Sequence, residues 1–379
     1  MCAPRISAFV LALCIAGCET FDYSYQGGAA QSLSSAVLGN PAPLPPEPVT
    51  LWLSDDAKAT LDARINRKWN DHYKLNELRE LLFDEDELSI GYDANSTKTA
   101  MELWETRKGN CLSMTNLFIA TARYIGLDAH YETVEVAPTW DHEGWTMIRY
   151  EHIIAVGKLD GGTEYVMDFL PEFVVGDREA ARISDTEALA LYYNNLGAEA
   201  VIGGDQQVAV DNLRVALQID PGFSDAWNNM GAAMRRSGRL ELAEYAYRRA
   251  LQADDDNYSA LGNLAQLYQS EGRDREAKHY VERVNWYRQR NPYFHYFVAR
   301  TLMEEGHYRD AVTLLERSVR LKRDEPDFYE ALSRSWARLG NSEKSGDYEA
   351  LAQKYREEGF RPPPRHHNHR FWVQTVDVN

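Results

Sequence analysis

Three residues of this sequence have side chains that could together perform nucleophilic catalysis: Cys111, His152 and Asp168. A thiolate attacks carbonyl carbon, an imidazole moves the proton, and a carboxylate orients the imidazole and holds its tautomer. Cys111 follows Gly109-Asn110 and precedes an apolar run with helical spacing, so we place it at a helix N-terminus. Free backbone N–H groups and the helix dipole stabilise a thiolate at such a position.

His152 and Asp168 are predicted to come together through a β-hairpin. Each lies in a strand-like segment, and Asp160-Gly161-Gly162 between the segments is a typical turn. With this three-residue loop Asp168 faces Ile154, and His152 becomes its diagonal neighbour on the same face, roughly 7 Å away or less between Cβ atoms. A two-residue loop would place the two side chains on opposite faces of the sheet. An odd-length loop is therefore needed for Asp168 to orient the imidazole.

These residues lie in a segment, 51–188, that is predicted to fold as an α+β domain. Helical spacing covers Leu61–Phe83 and Thr97–Thr106, and a third helix opens at Cys111 and ends at Gly126. The strand-like segments HYETVEV, WTMIRYEHIIAVGKL and TEYVMDFL follow. Helices followed by an antiparallel sheet are typical of the α+β class.

The same region resembles a known family of cysteine enzymes. The motifs GNCLSMTNLFIATARYIGLDA, YEHIIAVG and EYVMDFLP are similar to the core of the transglutaminase-like cysteine enzyme superfamily, between Thr97 and Pro171. The resemblance implies a papain-like fold with Cys111 as the nucleophile, His152 as base and then acid, and Asp168 as the orienting carboxylate. It also implies attack on a glutamine amide or peptide carbonyl through a thioester, with transfer of the acyl group to an amine or to water.

An oxyanion formed in such a reaction needs hydrogen-bond donors. The Cys111 backbone N–H is one, and Trp104 and Tyr92 are candidates for the second. His142, in the polar stretch WDHEGW, is a rival base, which we interpret as an entrance residue or one without a role. A small buried hydrophobe is the plain alternative for Cys111. An unpaired thiol at a helix start, followed by His and Asp in order, favours the catalytic interpretation.

The second half of the chain contains a repeat. Five glycines recur 34 residues apart: Gly204, Gly238, Gly272, Gly306 and Gly340. Large apolar and small residues recur at fixed positions around them, and the pattern resembles the tetratricopeptide repeat. Small side chains let two antiparallel helices approach each other, and glycine permits the positive φ of the turn between them. The resemblance implies an all-α solenoid that binds a protein or peptide partner.

Five repeat units fill residues 189–359 in this interpretation. Their approximate bounds are 190–223, 224–257, 258–291, 292–325 and 326–359. The last unit has Glu349 where a large apolar residue is expected, which is typical of a capping repeat. Asp254–Asn257 falls at the junction of two units, so we predict a polar turn there rather than a calcium site.

Two other polar clusters are predicted to be solvent-exposed. The acidic run Asp84–Glu87 follows a helical segment and is interpreted as a solvated helix end. The run RHHNHR, Arg365–Arg370, lies in a C-terminal tail of residues 360–379 that lacks a fixed scaffold, which argues against a metal site. We therefore expect neither a metal nor a cofactor.

The N-terminus, residues 1–17, is predicted to be a secretory signal. Arg5 precedes an apolar run, Ile6–Gly17, which is too short to span a bilayer. Ile15-Ala16-Gly17-Cys18 resembles the bacterial lipobox, which implies lipidation of Cys18 and a membrane anchor. An ordinary signal peptide cut at another small residue is the alternative.

The predicted location is the bacterial cell envelope. Glu19, rather than aspartate, follows the lipidated cysteine, so we expect attachment to the outer membrane facing the periplasm. Cys2 and Cys14 would leave with the signal, so Cys111 would be the single thiol of the folded body.

Residues 18–50, with the stretch NPAPLPPEPV, are predicted to be a disordered proline-rich tether. The net charge of −17 argues against nucleic acid as a partner.

The sequence leaves three functional hypotheses. The first is a lipid-anchored thiol enzyme acting on amide bonds, with hydrolysis favoured over cross-linking, and with repeats that bind a protein partner. The second is an adaptor that keeps the fold while its thiol site is idle. In the third, the solenoid docks onto the thiol domain and covers it until a partner arrives.

Overall fold

The computed structural model of the chain describes residues 27–39, 44, 49–135, 139–140, 147–148, 151–169, 180–358 and 372–376. The predicted signal at 1–17, the lipidation residue Cys18, His142 and the Arg365–Arg370 run lie outside these residues. A mixed α/β region precedes an all-α stretch, so the predicted fold class is confirmed.

Five helices of the described residues precede the solenoid in the chain. They are α1 (Gly27–Leu38), α2 (Asp55–Arg64), α3 (Asp71–Phe83), α4 (Ala100–Thr106) and α5 (Cys111–Tyr124), with a 3-10 turn at Val49–Leu51. The prediction of one helix over Leu61–Phe83 is wrong, because the chain turns extended at Ile65 and a new helix starts after Asn70. The Asn70 side chain accepts a hydrogen bond from the Tyr73 N–H, which caps α3.

In the described part of the chain, the strands form one main sheet and two small pairs. They are β1 (Gly91–Tyr92), β2 (Lys108–Gly109), β3 (His130–Glu135), β4 (Thr139–Trp140), β5 (Met147–Ile148), β6 (Glu151–Lys158), β7 (Glu164–Asp168), β8 (Ala180–Ile183) and β9 (Trp372–Val376). The main sheet has the order β8-β3-β6-β7-β9, with antiparallel neighbours throughout. The strand β9 corrects the interpretation of residues 360–379 as a tail, because it pairs with β7 along the sheet edge.

The hairpin of β6 and β7 has the predicted register. Ala155 pairs with Met167 and Val156 with Val166, which places Asp168 in register with Ile154. The Leu159 N–H donates to the Thr163 carbonyl, so the loop is the three residues 160–162. An odd loop length therefore keeps His152 and Asp168 on the same face of the hairpin.

Helix α5 runs through the core of the first domain. Every residue from Leu112 to Ala122 is buried, and the helix packs against β6 as well as α4. A helix that is buried on all sides belongs to the interior of a domain rather than to its surface. Gly126, with φ of 82°, follows the C-cap residue Ile125. The residue that opens this helix, Cys111, is thus fixed by the best-packed element of the domain.

The solenoid is built from five helix pairs. They are α6 (Asp185–Gly203) with α7 (Gln206–Ile219), α8 (Ser224–Arg236) with α9 (Leu240–Ala253), α10 (Tyr258–Ser270) with α11 (Asp274–Arg290), α12 (Pro292–Glu304) with α13 (Tyr308–Leu321), and α14 (Pro326–Arg338) with α15 (Ser342–Glu358). The five repeating glycines all have positive φ, between 69° and 86°, as predicted for the turns inside the pairs. Asp254–Asn257 connects α9 to α10 as a turn, also as predicted.

The two halves of the chain share helix α6. The predicted domain boundary between residues 188 and 189 falls inside this helix. Its first half packs into the core of the α/β domain through Ala188, Leu189 and Tyr192, while Val201 belongs to the core of the solenoid. The capping box of Ser184 and Glu187 starts the helix before the boundary, which is why it runs through.

The predicted disorder of residues 18–50 is wrong for helix α1. Leu33 and Val37 of this helix are buried in the core cluster of the solenoid. The Arg214 Nε atom donates a hydrogen bond of 2.9 Å to the Val37 carbonyl at the end of the helix. The spacing of Leu33 and Val37, one helical turn apart, gives α1 an apolar side to bury against α7 and α9.

We expect Gly231→Ala to destabilise the solenoid by about 1–3 kcal/mol, because overpacking forces neighbours apart. A Cβ atom at Gly231 would lie 2.5 Å from ring carbons of Tyr247 on the facing helix. Gly203→Ala is the matched control, since it lies in a helix with nothing within 4 Å of the added carbon. Urea unfolding followed by circular dichroism measures both, and equal midpoints for the two variants would contradict the close approach of α8 and α9.

Candidate active site

Cys111 is the first residue of helix α5. Asn110 is the N-cap, and its side-chain oxygen accepts a hydrogen bond of 3.0 Å from the Ser113 N–H. Because N–H groups in the first turn have no acceptor within the helix, the amide of Cys111 remains available for another partner. The Cys111 side chain is half-buried and its thiol is free, since it forms no disulfide. The nucleophile predicted from the sequence therefore lies where the dipole of a buried helix favours negative charge.

His152 connects the sulfur to the carboxylate. Its Nε2 donates a 2.7 Å hydrogen bond to Asp168 Oδ1, and the Cys111 side chain is close enough to the ring to raise its pKa. Because Nε2 is occupied by Asp168, Nδ1 is the ring nitrogen left for the sulfur. His152 and Asp168 are only 4% and 5% exposed, so water does not compete for this bond. The structure thus brings all three predicted residues together.

The surroundings of His152 favour its charged form. Burial alone would lower the pKa of the imidazole, but the hydrogen bonds to Asp168 and Cys111 and the negative charge of these partners outweigh it, and the pKa rises to about 9. An imidazole with an ordinary pKa of 6.5 would be mostly neutral at neutral pH. Here the ring stays protonated near neutral pH, which is the state needed to donate a proton to a leaving group.

Thr115 fixes helix α5 against the strand that carries His152. Its Oγ1 donates a 2.8 Å hydrogen bond to the Cys111 carbonyl and lies 3.4 Å from the Ile153 carbonyl in β6. The hydroxyl is fully buried, so these contacts are not shared with water. The first turn of α5 and the start of β6 are thereby held next to each other, which keeps the thiol near the ring.

The loop Ser96–Thr99 encloses the start of α5, and sequence reasoning missed it. The Asn110 N–H donates to the Ser96 carbonyl at 3.0 Å, and Ser113 Oγ accepts a 2.7 Å hydrogen bond from the Lys98 N–H. Thr97 contacts both Asn110 and Glu199 of α6. The N-cap pattern of Asn110 followed by Ser113 could have been recognised in the sequence. The contribution of Glu199, which lies far along the chain, could not.

The two candidates for the second oxyanion donor have different surroundings. Tyr92 is in β1, opposite Gly109 of β2 and therefore beside the segment that enters α5; its side chain is 42% exposed. Trp104 is buried in the core cluster of the domain, with its ring 5.7 Å from the Arg107 guanidinium. The role of either residue as a donor stays a prediction. The Cys111 N–H, at the helix start, is the donor whose position follows from the geometry described above.

The connection between β3 and β6 places part of the first domain on the solenoid. Strand β4 lies against α12 and strand β5 lies against α10. These are the first helices of the third and fourth pairs, and β5 lies only a few residues before His152 in the chain. Repeats far along the chain are therefore in contact with the segment that leads into the site.

Among the described residues, no group of three or more His, Cys, Asp or Glu side chains could hold a metal ion. None of the described helices combines the length and the apolar character that crossing a bilayer would require.

Comparison with known protein families agrees with the architecture. Residues 59–167 match the transglutaminase-like superfamily, and residues 234–301 match the tetratricopeptide repeat. The chain contains a transglutaminase-like domain followed by tetratricopeptide repeats. Cys111 and His152 fall inside the first match, and Asp168 is the residue that directly follows it. A search of curated proteins returns no match.

Several solved structures match less than half of this chain. A MamA structure (AMB-1) has 19% identity, with 44% of this chain and 92% of that chain covered and a TM-score of 0.25. PilF of Pseudomonas aeruginosa has 21% identity, coverage of 45% and 78%, and a TM-score of 0.27. YrrB, described as a tetratricopeptide protein with an unusual peptide-binding site, has 16% identity, coverage of 45% and 87%, and a TM-score of 0.26.

Proposed function

We propose that the transglutaminase-like domain is a thiol enzyme that cleaves or transfers amide bonds of peptides or glutamine side chains. The observation that carries the proposal is the buried His152 ring, hydrogen-bonded to Asp168 and close enough to Cys111, at the start of α5, for the sulfur to raise its pKa. A structural histidine needs one such partner, whereas a nucleophile, a proton carrier and an orienting carboxylate in series are what acyl transfer requires.

In the proposed reaction the Cys111 sulfur attacks the carbonyl carbon of the amide. The negative charge moves to the carbonyl oxygen, which the Cys111 N–H stabilises at the start of α5. The tetrahedral intermediate collapses to a thioester as the carbon–nitrogen bond breaks, and the leaving nitrogen takes the proton of the His152 imidazolium. Neutral His152 then removes a proton from water, which attacks the thioester and releases the acid together with the free thiol.

Hydrolysis remains the favoured outcome over cross-linking. Water is abundant in the proposed compartment, and an amine acceptor would have to reach a thioester next to the half-buried sulfur of Cys111. We further propose that the chain is lipid-anchored through Cys18 and faces the periplasm from the outer membrane. The support for this location is the sequence Ile15-Ala16-Gly17-Cys18 and Glu19 at the N-terminus.

The repeats are proposed to bring a protein or peptide to the domain. A cavity of about 610 Å³ lies between α12 and α14. Its lining contains three arginines and three carboxylates, namely Arg300, Arg334, Arg338, Glu304, Asp327 and Glu330. A lining with both signs of charge suits a polar peptide better than an apolar ligand, because each buried charge must find a partner. The cavity adjoins α12, against which β4 of the transglutaminase-like domain lies.

A blocked glutaminyl-glycine dipeptide tests the reaction. We expect the full chain to release ammonia from it in the absence of an added amine, and to accumulate an acyl adduct on Cys111 when the reaction is quenched early. Cys111→Ala should remove both signals, because no other residue of the site can form the thioester. Ammonia release and intact-protein mass spectrometry measure the two steps.

The same experiment separates the competing hypotheses. If an added primary amine is incorporated faster than ammonia is released without the amine, cross-linking rather than hydrolysis is the reaction of this site. An adaptor with an idle site would be favoured by three negative results together: no adduct on Cys111, no ammonia from glutamine side chains, and no new amino terminus from peptide bonds. A shortened chain is a poor test of coverage by the solenoid, since deleting residues 191–355 also removes Glu199 and its contact with Thr97.

A further inference from the structure

The N-cap of the thiol helix is held by a hydrogen-bond chain that starts in the first repeat. Glu199 Oε1, in α6, accepts hydrogen bonds from the Thr97 N–H at 2.9 Å and from Thr97 Oγ1 at 2.6 Å. Thr97 Oγ1 accepts one in turn from Asn110 Nδ2 at 2.6 Å. Asn110 Oδ1 then accepts from the Ser113 N–H at 3.0 Å. Three side chains and the Ser113 backbone amide therefore connect the repeat half to the turn that contains Cys111.

The direction of each bond in this chain is determined by the one before it. A threonine hydroxyl has one hydrogen, and at Thr97 that hydrogen is committed to the Glu199 carboxylate. Its oxygen can therefore only accept from Asn110, so the NH₂ end of the Asn110 amide must face Thr97. The amide oxygen is then the end that faces the helix, where it caps Ser113. Without Glu199, the Thr97 hydroxyl would lose its carboxylate acceptor and Thr97 its anchor, so the bond from Asn110 Nδ2 that supports the cap from outside the helix would weaken.

Burial makes this chain specific rather than replaceable by water. Thr97 and Asn110 are 6% and 7% exposed, and Ser113 is fully buried. A buried N–H or hydroxyl that loses its partner keeps the full desolvation penalty, and bonds to a carboxylate are stronger than neutral ones. The support of the Asn110 cap on its Nδ2 side thus depends on a residue outside the transglutaminase-like domain.

We propose that Glu199 is a positioning residue for Cys111, acting through Thr97 and Asn110. The proposal rests on the proposed thiol chemistry for its functional consequence, while its structural step is independent of it. With the cap in place the first-turn N–H groups stay aligned on the sulfur and on the oxyanion. The first repeat is therefore part of the thiol site, and the site is incomplete in a domain that ends before α6.

A direct contact between α6 and α5 provides a matched control. Arg123, near the other end of α5, makes bonds of 2.6 and 2.9 Å to the two carboxylate oxygens of Asp185 in α6. Asp185→Asn and Glu199→Ala both remove a carboxylate by which α6 holds α5, directly at Arg123 in the first case and through Thr97 and Asn110 in the second. Only Glu199→Ala removes the one that supports the cap.

The test uses the full chain and two readouts. In Glu199→Ala and Thr97→Val, we expect hydrogen exchange of the Ser113 amide to rise about fivefold, the loss expected for a missing cap, and Cys111 alkylation by chloroacetamide to slow by a similar factor. Thr97→Ser keeps the hydroxyl and Glu199→Gln keeps an oxygen acceptor, so both readouts should remain near the parent values in these two variants. Asp185→Asn should lower the unfolding midpoint and leave both readouts unchanged.

The experiment distinguishes failure of the positioning role of Glu199 from failure of the proposed catalysis by Cys111. Ser113 exchange that is the same in Glu199→Ala, Thr97→Val and the parent chain would overturn the positioning role. If exchange depends on Glu199 while Cys111 in the parent chain reacts no faster than in His152→Ala, the positioning chain is supported and the proposed catalysis is not. The Thr97→Val and Thr97→Ser pair keeps the test decisive if Glu199→Ala fails to fold.

Discussion

Replacing His152 by alanine is expected to slow the alkylation of Cys111 by chloroacetamide at neutral pH by about tenfold to thirtyfold. An isolated thiol is only a few per cent thiolate near neutral pH, whereas a sulfur paired with an imidazolium reacts as the thiolate. The ring of His152 supplies that positive charge, because its pKa is raised to about 9. The measurement is the rate of adduct formation on the tryptic peptide Gly109–Arg123, followed by mass spectrometry.

His130→Ala is the matched control for this experiment. His130 is also a largely buried histidine of the main sheet, with Nε2 3.2 Å from Glu132 Oε1. Removing it deletes the same number of atoms from the same layer without touching the Cys111–His152–Asp168 site. Equal alkylation rates in His152→Ala and the parent chain would show that the ring does not activate the sulfur, and the adaptor hypothesis would then stand.

Asp168→Asn is expected to reduce amide turnover by on the order of 10⁴-fold, the size of the effect when the orienting carboxylate of a catalytic triad is replaced by an amide. The carboxylate accepts a hydrogen bond from the Nε2–H of His152, and an amide in its place could present its NH₂ group instead. Without the negative charge, burial would dominate and the pKa of His152 would fall. When turnover is measured across pH, its decline on the alkaline side should therefore begin at a lower pH in the variant than in the parent chain.

The same pair makes stability depend on pH in a defined direction. The pKa of His152 is higher in the folded chain, about 9, than its ordinary value of 6.5. Its contribution to stability is therefore fully present below pH 6.5 and is lost as the pH rises through about 9. Urea midpoints of the parent chain should fall across this window, and those of Asp168→Asn should fall less. A parent midpoint that rises across the same window would contradict the protonated ring.

The hairpin and the repeats could be predicted because their information is local. The three-residue loop at 160–162 fixes the register of β6 and β7, and the register brings His152 and Asp168 together. The glycines at 34-residue intervals determine the turns of the solenoid directly through their positive φ. In both cases a few neighbouring residues decide the geometry, so one sequence is enough.

Contacts between distant segments could not be predicted in this way. The edge strand β9 pairs with β7 from the far end of the chain, and β4 and β5 reach α12 and α10 across the domain boundary. Glu199 lies in a repeat helix, and nothing in its local sequence distinguishes it from a solvated carboxylate. Helix α1 is different, because Leu33 and Val37 at helical spacing were a readable signal inside a segment dominated by its prolines.

The protonation of His152 is the most direct test of this account. The chain can be labelled with ¹⁵N in its histidine rings and titrated by NMR, with His152→Ala used to assign the signal. The account predicts that the His152 ring stays protonated until about pH 9 and that Cys111→Ser lowers this value, because the charge on the sulfur is lost. A ring that titrates near its ordinary value of 6.5, and does so identically in Cys111→Ser, would contradict the ion pair on which the proposed chemistry depends.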